Sequence, residues 1–148
     1  INKKFMINIL FTVCNTGILF CWAMLLFFPK MKLSQAIRTY PWVPLVISIA
    51  YLYFLGAAGG LGEADFSTLE GITALFKKAT PASAAAGWMH YLAFDFWMGC
   101  WIVEHRIKRR IPQWAVIPSL LGTFLLGPTG VLIYALTGGV FYLISKKK

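Results

Sequence analysis

Apolar residues fall in four long runs, separated by short basic or glycine-rich stretches. The first covers about residues 5–28, between Lys3–Lys4 and Pro29–Lys30. About 20 apolar residues suffice to cross the ~30 Å hydrocarbon core of a bilayer as a helix. The run is longer than a signal-peptide core and no small-x-small cleavage site follows it, so it reads as a retained span. The second covers about residues 42–60, with Tyr40 and Trp42 as interfacial aromatics and Pro44 in its first turn. The third covers about residues 83–103 and ends in the basic cluster Arg106 to Arg110. The fourth, about residues 112–144, would reach ~50 Å as one straight helix, more than a bilayer needs. Gly127–Pro128 is its break point. The pattern predicts one kinked span with an interfacial end, with two shorter pieces as the alternative.

Between the second and third runs, Gly59 to Gly62 leads into an acidic stretch, Glu63, Asp65 and Glu70. Ser67 followed by Glu70 reads as a capping box. It opens a short amphipathic helix over residues 68–78, with Leu69, Ile72, Leu75 and Phe76 on the side that would lie on a membrane surface. The expected fold is therefore all-α: one domain over residues 1–148, an integral membrane bundle of about four transmembrane helices. There is no internal repeat. Small residues at Gly56–Gly60, Ser83–Gly87 and Gly127–Gly130 are spaced for close helix approach.

Composition agrees. Apolar residues make up 59% of the chain and charged residues 13%, against ~45–50% and ~25% in soluble domains. A net charge of +9 would suggest nucleic acid in a soluble protein. Here the cations flank the apolar runs, as headgroup anchors do, and nucleic-acid binding is set aside. With four spans, seven basic residues fall on each side: Lys3, Lys4, Lys77, Lys78 and Lys146 to Lys148 against Lys30, Lys32, Arg38, Arg106, Lys108, Arg109 and Arg110. The positive-inside count ties; the shorter loops favour the second set as cytoplasmic. Cys14, Cys21 and Cys100 all lie inside apolar runs without metal-site spacing and read as small apolar side chains.

Few residues could carry chemistry. Asp95 lies near the middle of the third run, where an ionisable group costs ~2.5–3.5 kcal/mol on insertion scales. It needs a partner or a wet cavity. His90 precedes it by five residues, about 140° around a helix, so a site using both must lie between two stripes. Asn8, Thr12, Asn15 and Thr16 form a polar seam on the first run, expected to face the bundle interior. Asn15 is at a depth to meet Asp95. Aromatic residues reach 16%; Phe94 and Trp97 belong to packing or belts, or line a slot for a long apolar ligand. All lysines lie outside the runs, which excludes a retinal Schiff base. His90 and His105 are ~22 Å apart along one helix, so one haem cannot use both. No nucleotide-binding glycine loop or zinc-protease motif is present.

The run Trp88-Met-His90-Tyr-Leu92-Ala93-Phe-Asp95, then Pro118, then Thr123-Phe-Leu-Leu-Gly127-Pro128-Thr-Gly130-Val-Leu132, resembles the membrane family of the plant abscisic-acid-deficient protein associated with neoxanthin synthesis. The similarity is most specific over residues 86–134. It implies a four-span protein acting on xanthophylls. Neoxanthin formation is an isomerisation that opens an epoxide as a ring-adjacent proton leaves, giving an allene. Such a step needs an acid and a base, and the matched positions are Asp95 and His90. The ligand-facing set would be Asn15, Tyr91, Phe94, Trp97 and Met98. No cofactor and no metal are implied. The partners would be a hydrophobic polyene or isoprenoid and membrane lipids, with a homo-oligomer or larger complex possible. Plant relatives carry an arginine at the position of Cys100, and no plastid-targeting stretch precedes the first run. Both point to a bacterial relative in the inner membrane, with a substrate that need not be violaxanthin. The alternative is a non-catalytic pigment- or lipid-binding module, or a scaffold subunit.

Overall fold

The computed structural model describes residues 2–62 and 64–146; Glu63 of the acidic stretch and the terminal Lys147 and Lys148 lie outside them. Seven helices and no strand occur among the described residues: α1 Lys3–Phe27, α2 Lys32–Thr39, α3 Trp42–Ala57, α4 Leu69–Lys77, α5 Pro81–Lys108, α6 Gln113–Leu126 and α7 Pro128–Lys146. Helix α1 is long and apolar enough to cross a membrane. Helices α2 and α3, bent by 55°, together make a second such stretch. Helix α5 is longer but more polar, and α6 and α7 are apolar but short, so length and composition alone give one or two spans rather than four.

Helix α5 is the axis of the bundle. It packs against α3 through Ala82, Ala85, Ala86 and Ala93, which meet Ile47, Ala50 and Phe54 in one buried cluster. Alanines let two helices approach closely. By contrast, Gly56, Gly60 and Gly87 face no neighbour within 4 Å, so those expected close-approach positions are not used. Helix α1 buries Ile7, Cys14, Ile18, Trp22 and Leu25, a stripe at helical spacing. The Trp22 ring meets Phe96 edge-on at 5.5 Å and Phe124 at 5.3 Å. It lies over Gly99, where an added Cβ would stand 2.7 Å from the ring. That contact needs glycine. The polar seam expected inside is largely outside: Asn8, Thr12 and Thr16 are exposed, and the Thr12 hydroxyl donates to the Asn8 carbonyl at 2.9 Å.

The last apolar stretch is two pieces, not one kinked span. Gln113, at the start of α6, donates to the Leu25 and Leu26 carbonyls at the end of α1, at 3.1 and 3.2 Å. The other end of α6, at Gly127, reaches Asp95 in the middle of α5. Helix α7 then returns: Tyr134 meets His105, and Gly138 and Ile144 share a cavity wall with Arg109 and Arg110. The two helices form a hairpin against the second half of α5. Gly127 turns the chain with φ 50°, and Pro128 starts a new helix where a missing N–H costs nothing. Gly130 packs into α6 so tightly that a Cβ would strike Thr123 and the Ser119 carbonyl.

One cap differs from the sequence reading, and another holds a strained residue. At α4, the N-cap is Thr68 rather than Ser67, its hydroxyl accepting from Gly71 N–H at 3.1 Å. Asp65 organises this turn by accepting from the Ser67 N–H and from the Ser67 and Thr68 hydroxyls. These bonds hold its carboxyl down at about 2. At the end of α5, Ile111 N–H donates to the Arg106 carbonyl at 2.9 Å and Arg110 N–H to that of Ile107 at 3.1 Å. This is a Schellman motif, and Arg110 occupies its left-handed position with φ 56°. A side chain there costs about 1–2 kcal/mol relative to glycine. Helix α3 ends in the same motif with Gly59, φ 93°, in that position.

Candidate functional site

Asp95 stands at the centre of α5, half-buried, facing the α6–α7 turn. Its Oδ1 is 3.0 Å from where a Cβ on Gly127 would be. The carboxyl therefore occupies space that only a glycine leaves open, beside the N-terminus of α7, where helical N–H groups lack partners within the helix. No hydrogen bond to Asp95 is formed among the described residues. The expected partner is engaged elsewhere: Asn15 Oδ1 accepts from the Trp88 indole N–H at 2.8 Å. Asn15 thus sits nearly two turns of α5 away from Asp95, and the two do not meet.

His90 is exposed, not buried. Its ring lies 4.8 Å from Phe94 and 6.1 Å from both Tyr51 and Tyr91. It faces the α3 side of α5, whereas Asp95 faces the hairpin, as their helical offset dictates. No hydrogen bond joins them among the described residues. The aromatic residues also point outward: Tyr91, Phe94 and Trp97 are 56%, 58% and 53% exposed. Phe94 and Trp97 are stacked at 6.4 Å. Met98 is half-buried beside the core. The rings form a ladder on the outer face of α5, not an enclosed slot.

The ladder runs toward a second polar focus that the sequence reading missed. Trp101 stacks on His105 at 4.9 Å with 11° between planes, and His105 Nδ1 shares a hydrogen bond of 2.7 Å with the buried Tyr134 hydroxyl. These residues, with Arg109 and Gly138, line an open cavity of about 870 Å³ between α5 and α7. The i, i+4 spacing of Trp101 and His105 was a signal for the stack. Nothing in the sequence announced Tyr134, because its approach depends on the hairpin. Close by, Arg38 donates to Glu104 at 2.5 Å and to the Pro29 carbonyl at 2.6 Å, with its side chain 6% exposed. Among the described residues no group of three His, Cys, Asp or Glu could hold a metal ion.

The class these features define is an all-α protein with a carboxyl and an imidazole on opposite sides of one central helix, the first held at the turn of a helical hairpin. The family model described as ABA DEFICIENT 4-like matches residues 9–134, which takes in α1 through the first part of α7. The chain belongs to this ABA DEFICIENT 4-like family. No curated protein and no solved structure matches it.

Proposed function

We propose that the chain is a membrane protein that isomerises a xanthophyll or a related polyene. Family membership over residues 9–134 carries this reading, because the matched stretch includes His90, Asp95, the Gly127 turn and Tyr134. In it, α1, the α2–α3 pair and α5 cross the bilayer, and the α6–α7 hairpin is the fourth membrane element, entering and leaving at the basic end. Gly127, at the hairpin turn, is buried against Asp95 of α5, the setting in which irregular backbone is tolerated at membrane depth. The fold-back also supports an orientation. Among the described residues, Lys30, Lys32, Arg38, Arg106, Lys108, Arg109 and Arg110 lie at one end and Lys3, Lys4, Lys77 and Lys78 at the other. The first end is the cytoplasmic one, in a bacterial inner membrane.

The chemistry asked of the site is proton movement. Opening a ring epoxide to an allenic alcohol breaks one C–O and one C–H bond; the oxygen gains a proton and the electron pair of the C–H bond forms the cumulated double bond. No electrons leave the substrate. Asp95 makes no hydrogen bond within the described protein, so its oxygens are available to a substrate; His90 offers the second proton-transferring group. A substrate end ring seated between them would lie across α5, with its chain along Phe94 and Trp97. Asn15, tied to Trp88, would at most touch its far end, and Tyr91 and Met98 would flank it. In a host that accumulates epoxy-xanthophylls, expression should yield an isomer of unchanged mass, lost in Asp95→Asn and in His90→Ala.

A second reading rests on the outward aromatic ladder of α5, which suits a polyene held at the protein surface or a neighbouring subunit. A non-catalytic pigment-binding module or scaffold predicts that both variants leave the pigment profile unchanged while assembly weakens.

A further inference from the structure

The basic end of the bundle holds a second pocket, of about 430 Å³, between the end of α1, α2 and the end of α5. Lys30, Arg38, Arg106 and Arg110 line it together with Pro29 and Gln35. Of these four cations only Arg38 has an acidic partner, Glu104, among the described residues. The Nε of Arg106 is buried and meets no acceptor, and its guanidinium otherwise reaches only the Ile111 carbonyl at 3.4 Å. A buried, unpaired guanidinium N–H is costly unless something outside the chain accepts from it.

Arg110 adds an independent observation. It sits in the left-handed position of the α5 cap, where α3 in the same motif uses glycine. Strain held at a non-glycine residue points to use of its side chain, and that side chain lines this pocket. We propose that the pocket binds a phosphate group, carried by an anionic phospholipid headgroup or by a free phosphate. Guanidinium groups grip phosphate oxygens in pairs, and basic pockets between membrane helices suit anionic headgroups. Phe27, Phe28, Met31 and Leu33 are exposed around the same end, which would give the acyl chains of a lipid an apolar surface.

The test is calorimetric titration of the purified protein with inorganic phosphate, dioctanoyl phosphatidic acid and dioctanoyl phosphatidylcholine. Phosphatidic acid should bind at least tenfold more tightly than phosphatidylcholine. Binding of phosphatidic acid alone identifies a lipid headgroup as the source; competing inorganic phosphate identifies a free phosphate. Affinity should fall about tenfold or more in Arg106→Gln and in Arg110→Gly. The Arg110→Gly protein should melt no lower than the parent, because glycine relieves the cap, so it reports on binding even if Arg106→Gln fails to fold. The proposal is overturned if neither phosphate nor phosphatidic acid binds, or if Arg110→Gly binds them as tightly as the parent.

Discussion

The Asp95 carboxyl and the Gly127 backbone occupy one another's space: Oδ1 lies 3.0 Å from where a Gly127 Cβ would stand, and Gly127 has φ 50°. The turn of the α6–α7 hairpin and the central acidic residue of α5 are therefore one structural unit. A Cβ at position 127 would press on the Asp95 carboxyl.

Replacing Gly127 with alanine imposes both the left-handed backbone and a contact with Asp95. The expected loss is about 1–3 kcal/mol, read as a lower melting temperature in detergent. Gly130→Ala should cost at least as much, because its Cβ meets Thr123 and the Ser119 backbone, which cannot swing away. Gly139→Ala, with open space around it, should be neutral or slightly stabilising in a helix. If the three variants melt alike, the hairpin packing is wrong.

Glu104 neutralises an arginine that is nearly buried. Changing it to glutamine leaves Arg38 with the Pro29 carbonyl and Ser34 Oγ. Orphaning a buried charge costs ~3–5 kcal/mol, but Glu104 is 37% exposed, which reduces the expectation to about 1–3 kcal/mol. Adding Arg38→Met should recover part of that loss in a double-mutant cycle. Purely additive losses would show that the pair is not coupled.

Among the described residues the Tyr134 hydroxyl shares its hydrogen bond with His105. Tyr134→Phe should cost about 1 kcal/mol and shift the His105 ring-nitrogen NMR signals while those of His90 stay in place. Unchanged His105 signals would mean that α7 does not return along α5.

Asp65 gives the pH dependence. Its carboxyl is held at about 2 by the Ser67 and Thr68 bonds, from an ordinary 3.8. A depressed folded-state value means the contribution is fully present above pH 3.8 and fades as pH falls toward 2. Amide protection in α4 should therefore be flat from pH 7 to about 4, then drop. In Asp65→Asn the drop should be absent and protection lower throughout.

Much of the helix layout was legible because apolar runs and their basic borders are local signals. The run at residues 5–28 coincides with α1 up to Phe27, and the run at 83–103 lies inside α5. Helix α2 was not legible: it is short and mixes polar with apolar residues, and what fixes it is remote, the Ser34 hydroxyl on the Met24 carbonyl and Arg38 on Glu104. The hairpin was half legible. Gly127–Pro128 marked the break, but the angle depends on Gly130 fitting against Ser119 and Thr123, a tertiary contact. Asp95 and His90 stood out as ionisable groups in an apolar run. Their surroundings did not: depth alone pairs Asn15 with Asp95, whereas Asn15 accepts from the Trp88 indole N–H. His105 was set aside as too far from His90 to share a haem. Its bond to Tyr134 forms only because α7 folds back.

The most direct test of the proposed activity uses the purified protein in lipid nanodiscs with a 5,6-epoxy xanthophyll and no added cofactor, followed by chromatography and mass spectrometry. The account predicts a new product of the substrate's mass, formed at least ~100-fold more slowly by Asp95→Asn and by His90→Ala, with both variants folded by melting. No isomer from the parent protein, or undiminished product from both variants, would contradict it.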